Sequence, residues 1–450
     1  MLGGGLSGLT AAWNLMHQGY EVIVLEAQTF AGGRVRTIRE PFTNGGYAEV
    51  GAVRIPNNHR WTLKYIKAMG LESKLGSYND DTGLRLWYLQ KKRFVTPKGE
   101  WPLEGLTPRE KANPFAMADV YFGDVAKKRG DPTKPEFPSP AAREIDGLTV
   151  VDYVKRVGGS EEWCRLMDAA EGEVADWSAL YAIGFDGESS DGPWTTTYGL
   201  IGGNDQLPKA IAAALGSRVK YGTQILKLAH DPHGVTVTVR DAGGQHEIRA
   251  EYCVCGLPFP LLRDVEITPA FSDRKMQAIQ KYRLAPVSRV CFQTKTRFWR
   301  HDPMGELGGL TLIGTDTNAG RVWNTSQLQP DKTLGMLQSY MFGAHALAFS
   351  SLPAAERLPK WRELVAEFLP GIRDEVIASC QKVWHEDPWH KGAFAEIQPH
   401  EIEFWPASRR AEGRVHFAGE HTSLWTGWQN GAFESAERCV QEITGASASA

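Results

Sequence analysis

The sequence has no apolar run long enough to span a bilayer, so a helical membrane protein is not expected. It has no basic surplus. Its 50 Lys and Arg stand against 53 Asp and Glu, for a net charge of −3, whereas a nucleic-acid footprint needs an excess of positive charge. The cysteines are few and scattered. Cys164, Cys253, Cys255, Cys291, Cys380 and Cys439 include no C-x-x-C pair, so neither a disulfide framework nor a metal site is expected. Internal repeats and low-complexity tracts are absent, which excludes solenoids and linker-rich arrays. No export leader is evident. With unpaired thiols, the expected compartment is the cytoplasm, although the short start of the chain leaves export open.

What is present is a long chain of ordinary globular composition. Its 450 residues are 42% hydrophobic and 23% charged, enough for two or three domains. Fifteen tryptophans are many for this length, and Trp384, Trp389, Trp405, Trp425 and Trp428 gather late. Most belong to the core, and a few could wall a pocket.

Three segments at the two ends of the chain describe one cofactor. The first is Gly3-Gly4-Gly5-Leu6-Ser7-Gly8, followed by Leu9, Ala12, Trp13 and Met16 at helical spacing, then Gly19 and an apolar run that ends at Glu26. Gly3 permits a tight turn, Gly5 lets backbone approach a pyrophosphate, and Gly8 lets helix and strand pack closely. The helix N-terminus offers free N–H groups and a positive dipole end to phosphate. Glu26 lies where a carboxylate accepts ribose hydrogen bonds. The second segment is Gly32-Gly33-Arg34-Val35-Arg36. The third is Ala418-Gly419-Glu420 with Gly427-Trp428-Gln429-Asn430-Gly431. Together they indicate FAD rather than a nicotinamide. This motif normally follows a strand, and here only Met1 and Leu2 precede it, so the first strand is expected to be missing and the chain truncated.

Between these ends the patterning changes. His59–Met69 has helical spacing and stops at Gly70, and the pattern stays mainly helical to about residue 190. A Pro-rich charged loop interrupts it at Arg129–Arg143. Val235–Val239 and Tyr252–Cys255 read as strands, with turns at Asp231–Gly234 and Gly243–Gly244. Arg289–Thr294 reads as a strand, Ala354–Phe368 as a helix, and residues 414–417 as a short strand. A helix face follows at Ala432, Ala436, Cys439, Val440 and Ile443. The expected fold is α/β, α+β overall. A discontinuous Rossmann-like FAD-binding domain takes residues 1–56, 195–260 and 405–450. An inserted mixed-sheet substrate domain takes 261–404, and a mainly helical subdomain takes 57–194.

These segments, with Gly202-Gly203 before Leu207-Pro208, Ile225 after Tyr221-Gly222-Thr223, and Pro258, resemble the flavin-containing amine oxidase family over nearly the whole chain. Within it, Gly51-Ala52-Val53-Arg54-Ile55-Pro56 looks most like the L-amino acid oxidases. The resemblance implies cofactor contacts from Gly3, Gly5, Leu6, Ser7 and Gly8, from Glu26 and Ala27, and from Gly33 and Arg34. It adds Gly51, Ala52, Val53 and Arg54, the backbone of Ile225, and Gly419, Glu420, Gly427 and Trp428. By the same likeness Glu420 holds a ribityl or phosphate group, and the last helix directs its positive end at the pyrimidine side of the flavin. Arg54, Tyr340 and Trp428 would bind the substrate, the arginine taking its carboxylate in a two-pronged pair. A structural ion pair of Arg54 with the nearby Glu49 is the competing reading.

Two positions depart from the family pattern. Ala393, in Lys391-Gly392-Ala393-Phe394, stands where monoamine oxidases attach FAD through cysteine, so the flavin is expected to be noncovalent. Arg289 stands where most members carry the lysine beside flavin N5, which puts the oxygen half-reaction in question. The implied reaction is oxidation of an L-α-amino acid to a 2-oxo acid, ammonia and hydrogen peroxide. The implied partners are the amino acid and O2, with a homodimer as one option and neither nucleic acid nor membrane. Alternatives are an amine lacking a carboxylate, conversion of an amino acid to an amide, or a flavoprotein with little turnover.

Overall fold

The computed structural model describes residues 1–78, 84–131, 134, 137–172, 175–182, 194–302, 307 and 309–445. The chain is a mixed α/β fold in which strands of a parallel sheet, an antiparallel meander and a larger mixed sheet border one large cavity. The first sheet is parallel. Val24–Leu25 pairs with Val219–Lys220, and Cys253–Cys255 pairs with Val415–Phe417. Leu2 joins the two halves, bridging Leu25 on one side and Cys255 on the other. The strand position before the glycine loop is therefore filled, by Met1 and Leu2 alone. Side chains alternate across this sheet as a strand requires. Val24 and Val254 face one core, with the helices Leu6–His17, Gln206–Leu215 and Gln429–Thr444. Leu25, Cys253 and Cys255 face another.

The strand reading between residues 224 and 255 holds. Gln224–Asp231, Gly234–Asp241 and Gly244–Ala250 form an antiparallel meander, and Glu266–Thr268 adds in parallel. Asp231 caps the first turn by accepting from the N–H groups of His233 and Gly234. The helices also fall where periodicity placed them. Arg60–Ala68 ends before Gly70, and Gln429–Thr444 buries Ala436, Cys439, Val440 and Ile443.

The larger sheet has seven strands, in the order Val376–Val383, Val287–Thr294, Gly335–Phe342, Arg321–Asn324, Leu310–Thr315, Leu84–Leu89 and Lys92–Val95. The last two are strands within residues 57–194, the stretch read as mainly helical. They form a hairpin whose turn, Gln90-Lys91, has φ +50° and +59°. Two left-handed residues are what a tight hairpin needs, but Asn-Gly is the usual sequence for it. Neither Gln nor Lys carries that signal. Trp87 and Leu89 anchor the hairpin on the helices Met117–Lys128, Val150–Arg156 and Glu161–Glu171. In the Arg129–Arg143 loop, residues 132, 133, 135 and 136 lie outside the described residues, and the rest ends in the short helix Pro140–Arg143. No described helix is long and apolar enough to cross a membrane.

Candidate active site

A cavity of about 660 Å³ runs from the glycine loop to the face of the seven-stranded sheet. It brings together every candidate site residue from both ends of the chain except Gly8. Gly8 acts one layer behind. A Cβ there would lie 2.1 Å from the Gly3 carbonyl oxygen, so only glycine lets the helix sit this close to the loop.

Gly5 is different. It caps the helix Leu6–His17 with no side-chain cap, at φ −74° and ψ 176°, a conformation open to any residue. A Cβ on it would meet nothing within 4 Å. The folded chain gives no reason for glycine there, but an occupant of the cavity does, because a phosphate must approach the helix N-terminus along that path. The neighbouring groups fit such an occupant. Glu26 accepts from the N–H groups of Gly4 and Gln28, each at 2.7 Å, and faces the same end of the cavity. Burial raises its pKa, against those hydrogen bonds. Ile225 lines this end beside Gln224 and Leu226.

Arg34 and Glu420 clasp the middle. Their ion pair is 2.6 Å, and Arg34 also donates to the Ala393 carbonyl. The Glu420 carboxylate accepts in addition from the N–H groups of Ala395 and Gly427. It is thus committed to protein partners, and what it orients is Arg34 and the Gly427 turn. The helix Gln429–Thr444 has no side-chain cap, and its first residue, Gln429, lines the cavity with both amide atoms unpartnered. A helix N-terminus and an orphaned buried amide suit a polar heterocycle that develops negative charge. These residues fit a flavin dinucleotide.

The far end is aromatic and cationic. The Arg54 guanidinium lies 4.8 Å from the Trp323 ring, 5.2 Å from Trp428 and 6.0 Å from Trp194. It has no ion-pair partner among the described residues. Glu49 is not its partner. That carboxylate is buried on the Thr37 hydroxyl and the Asn204 N–H, and burial pushes its pKa to about 8. Tyr340 lies under Arg289, whose guanidinium is 3.7 Å above the ring. Arg289 is 3% exposed, its Nε and Nη1 have no partner, and burial lowers its pKa. His59 packs edge-on behind Trp428 at 4.7 Å. Burial, with Arg54 nearby, lowers it to about 3, so it stays neutral.

Trp194, Arg321 and Trp323 at this end escape a sequence reading. Arg321 and Trp323 line the cavity from one short strand. Their i, i+2 spacing puts both on one face. Only the pairing of Arg321 with Tyr340 reveals that this face is the cavity's. No cluster of potential metal ligands occurs among the described residues.

The family model for flavin containing amine oxidoreductases matches residues 6–444. The flavin-dependent L-tryptophan oxidase RebO of Lentzea aerocolonigenes is 29% identical over 98% of this chain and 97% of its own. An L-amino-acid oxidase of Siganus canaliculatus is 27% identical over 98% and 84%. Wild-type putrescine oxidase bound to putrescine superposes with a TM-score of 0.83 over 99% of this chain and 98% of its own, at 21% identity, a likeness of fold alone. The chain belongs to the flavin-containing amine oxidoreductase family and is a flavin-dependent oxidoreductase.

Proposed function

We propose that the protein oxidises an L-α-amino acid to the 2-oxo acid, ammonia and hydrogen peroxide. The observation that carries this is Arg54, a guanidinium facing the cavity among three indoles with no carboxylate partner among the described residues. An amine without a carboxylate would leave that half-buried charge unanswered among the indoles, which is costly. Names of relatives support the reading, since several are oxidases of tryptophan or other L-amino acids.

In this reading Arg54 receives the carboxylate in a planar pair, and the Tyr340 phenol donates to its second oxygen. Trp194, Trp323 and Trp428 keep water from the pair and so strengthen it. With the carboxylate fixed, Cα and its amine can take only a narrow range of orientations. No proton acceptor is assigned, because His59 is buried behind Trp428 and an amine that arrives neutral needs none. A bound flavin would supply the two-electron acceptor, which oxygen restores. Residues 1–56, 195–260 and 405–450 would hold the cofactor, and 261–404 the substrate. The 84–95 hairpin would be assigned to the substrate sheet, with the rest of 57–194 as a helical subdomain. Anaerobic bleaching of the flavin by an amino acid, but not by its decarboxylated amine, is the test. Equal bleaching by the amine would sink the proposal.

Noncovalent FAD is part of the same proposal. Ala393 lines the cavity, and no cysteine does so among the described residues. Acid precipitation should therefore release yellow flavin into the supernatant, whereas colour retained in the pellet would contradict it.

Arg289 is proposed to act on the oxygen step. It is buried and incompletely hydrogen-bonded, and it stands at the family's lysine position. Arg289→Lys should alter the rate at which reduced enzyme reacts with oxygen more than the rate of its reduction. Stopped-flow traces showing the reverse would refute that role.

A further inference from the structure

The substrate end holds more positive charge than one carboxylate uses. Arg54, Arg289 and Arg321 all line it. The single indole of Trp323 lies 4.8, 5.7 and 5.2 Å from their guanidinium carbons, so all three are within reach of one small molecule. Strand register explains the cluster. Arg321 is opposite Tyr340 on one neighbouring strand. The pairing of Val287 with Phe342 and Ser288 with Met341 brings Arg289 beside Tyr340 from the other. An Arg–Tyr–Arg row thus crosses three strands on the face turned to the cavity.

Among the described residues, negative charge does not match it. Four carboxylates line the cavity among the described residues. Glu26 is held by the backbone at the glycine loop, Glu420 by Arg34, and Asp264 by Lys391. Glu171 alone approaches the arginines, at 3.6 Å from Arg321, and its side chain is more than half exposed. Arg321 itself is 3% exposed. Its Nη1 donates to the Ala170 carbonyl, and its Nε has no partner. Stacking on Trp323, Tyr340 and Phe342 offsets only part of the cost of burying such a charge. The α-carboxylate answers one guanidinium and leaves the excess.

We infer that the substrate is a dicarboxylic amino acid, with its α-carboxylate on Arg54 and its side-chain carboxylate received by Arg321. This rests on the amino acid reading above and narrows it. An apolar side chain would leave Arg321 desolvated against carbon, and a cationic one would meet three like charges. The side-chain carboxylate takes no part in bond breaking. Two electrons and the Cα hydrogen pass to the flavin and on to oxygen, giving hydrogen peroxide, and water hydrolyses the resulting imine to the 2-oxo diacid and ammonia.

The test uses the wild-type holoenzyme under anaerobic conditions. Flavin reduction by glutamate and aspartate is compared with reduction by glutamine, asparagine and leucine, and by butylamine. The acids should exceed their amides by roughly tenfold or more in second-order rate, because a site built from buried polar partners rejects ligands that leave them unpaired. Calorimetry on the oxidised holoenzyme should likewise show glutarate binding more tightly than valerate. Arg321→Met should bring the acid-to-amide ratio toward one and raise reduction by leucine relative to glutamate, because the charge that an apolar side chain would bury is gone. If the amides or leucine match the acids, or glutarate binds no better than valerate, the dicarboxylic assignment is overturned and the amino acid reading survives. If butylamine reduces the flavin and no amino acid does, both fall.

Discussion

Arg54→Ala should lower kcat/KM toward an amino acid by roughly tenfold to several hundredfold while flavin content stays near wild type. A charged hydrogen-bonded pair contributes about 1.5–3 kcal/mol, and stranding the substrate carboxylate among indoles adds to the loss. At about 1.4 kcal/mol per decade these figures give the stated range. Flavin content is spared because the guanidinium faces Trp194, Trp323 and Trp428 rather than the glycine loop. Tyr340→Phe should cost less, since it removes one neutral donor and leaves the charge. The comparison that matters is an amino acid against its decarboxylated amine, measured on both proteins. A wild type that accepts the two equally, or an Arg54→Ala enzyme no worse with the acid than with the amine, would return the site to simple amines.

Two glycines three positions apart, Gly5 and Gly8, should respond to the same substitution in opposite ways. Gly8→Ala forces a methyl to within 2.1 Å of the Gly3 carbonyl oxygen. Backbone cannot swing aside as a side chain can, so the variant should lose roughly 1–3 kcal/mol of stability, toward the upper end. Its flavin occupancy should fall with its fold. Gly5→Ala places its methyl in open space at an ordinary φ and ψ. Its flavin-free form should be as stable as the parent, or more stable by about 0.4–1 kcal/mol through a less mobile unfolded chain. Its affinity for FAD should nonetheless fall by roughly tenfold or more, because the methyl occupies the approach to the helix N-terminus. Melting curves of flavin-free protein, set beside flavin titrations, separate the two. Unchanged flavin affinity in Gly5→Ala would mean that the pyrophosphate does not lie along this loop.

Local sequence carried the nucleotide end because its signals are local. Turn glycines, the helix that follows and the terminal carboxylate at Glu26 sit within a few dozen residues, and the fold places them as spacing suggests. The helices at Arg60–Ala68 and Gln429–Thr444 were equally readable, since one apolar face repeats through each. The 84–95 hairpin was not, because Gln90 and Lys91 take left-handed conformations without the residues that advertise them. The cationic end of the cavity was half hidden for another reason. Arg54 and Tyr340 were reached through family likeness, but Arg321 becomes visible only when its strand is registered against Tyr340. Register depends on partners far away in the chain, and a single sequence does not print it. The same limit left the competing pairing of Glu49 with Arg54 open, although they are only five positions apart. Glu49 turns instead to Asn204.

The Arg34–Glu420 clasp carries a consequence for biosynthesis. Its two residues are 386 positions apart, and Glu420 also fixes the Gly427 turn that leads into the final helix. A ribosome must therefore deliver almost the entire chain before the cradle can close, even though the glycine loop emerges first. Domains that fold as they are made expose apolar surface while they wait for missing parts. Here the parallel sheet itself waits, since Val415–Phe417 supplies an edge strand. Flavin uptake should accordingly be a late event that marks completed chains, and nascent chains stalled before the last helix should remain colourless whatever the supply of FAD.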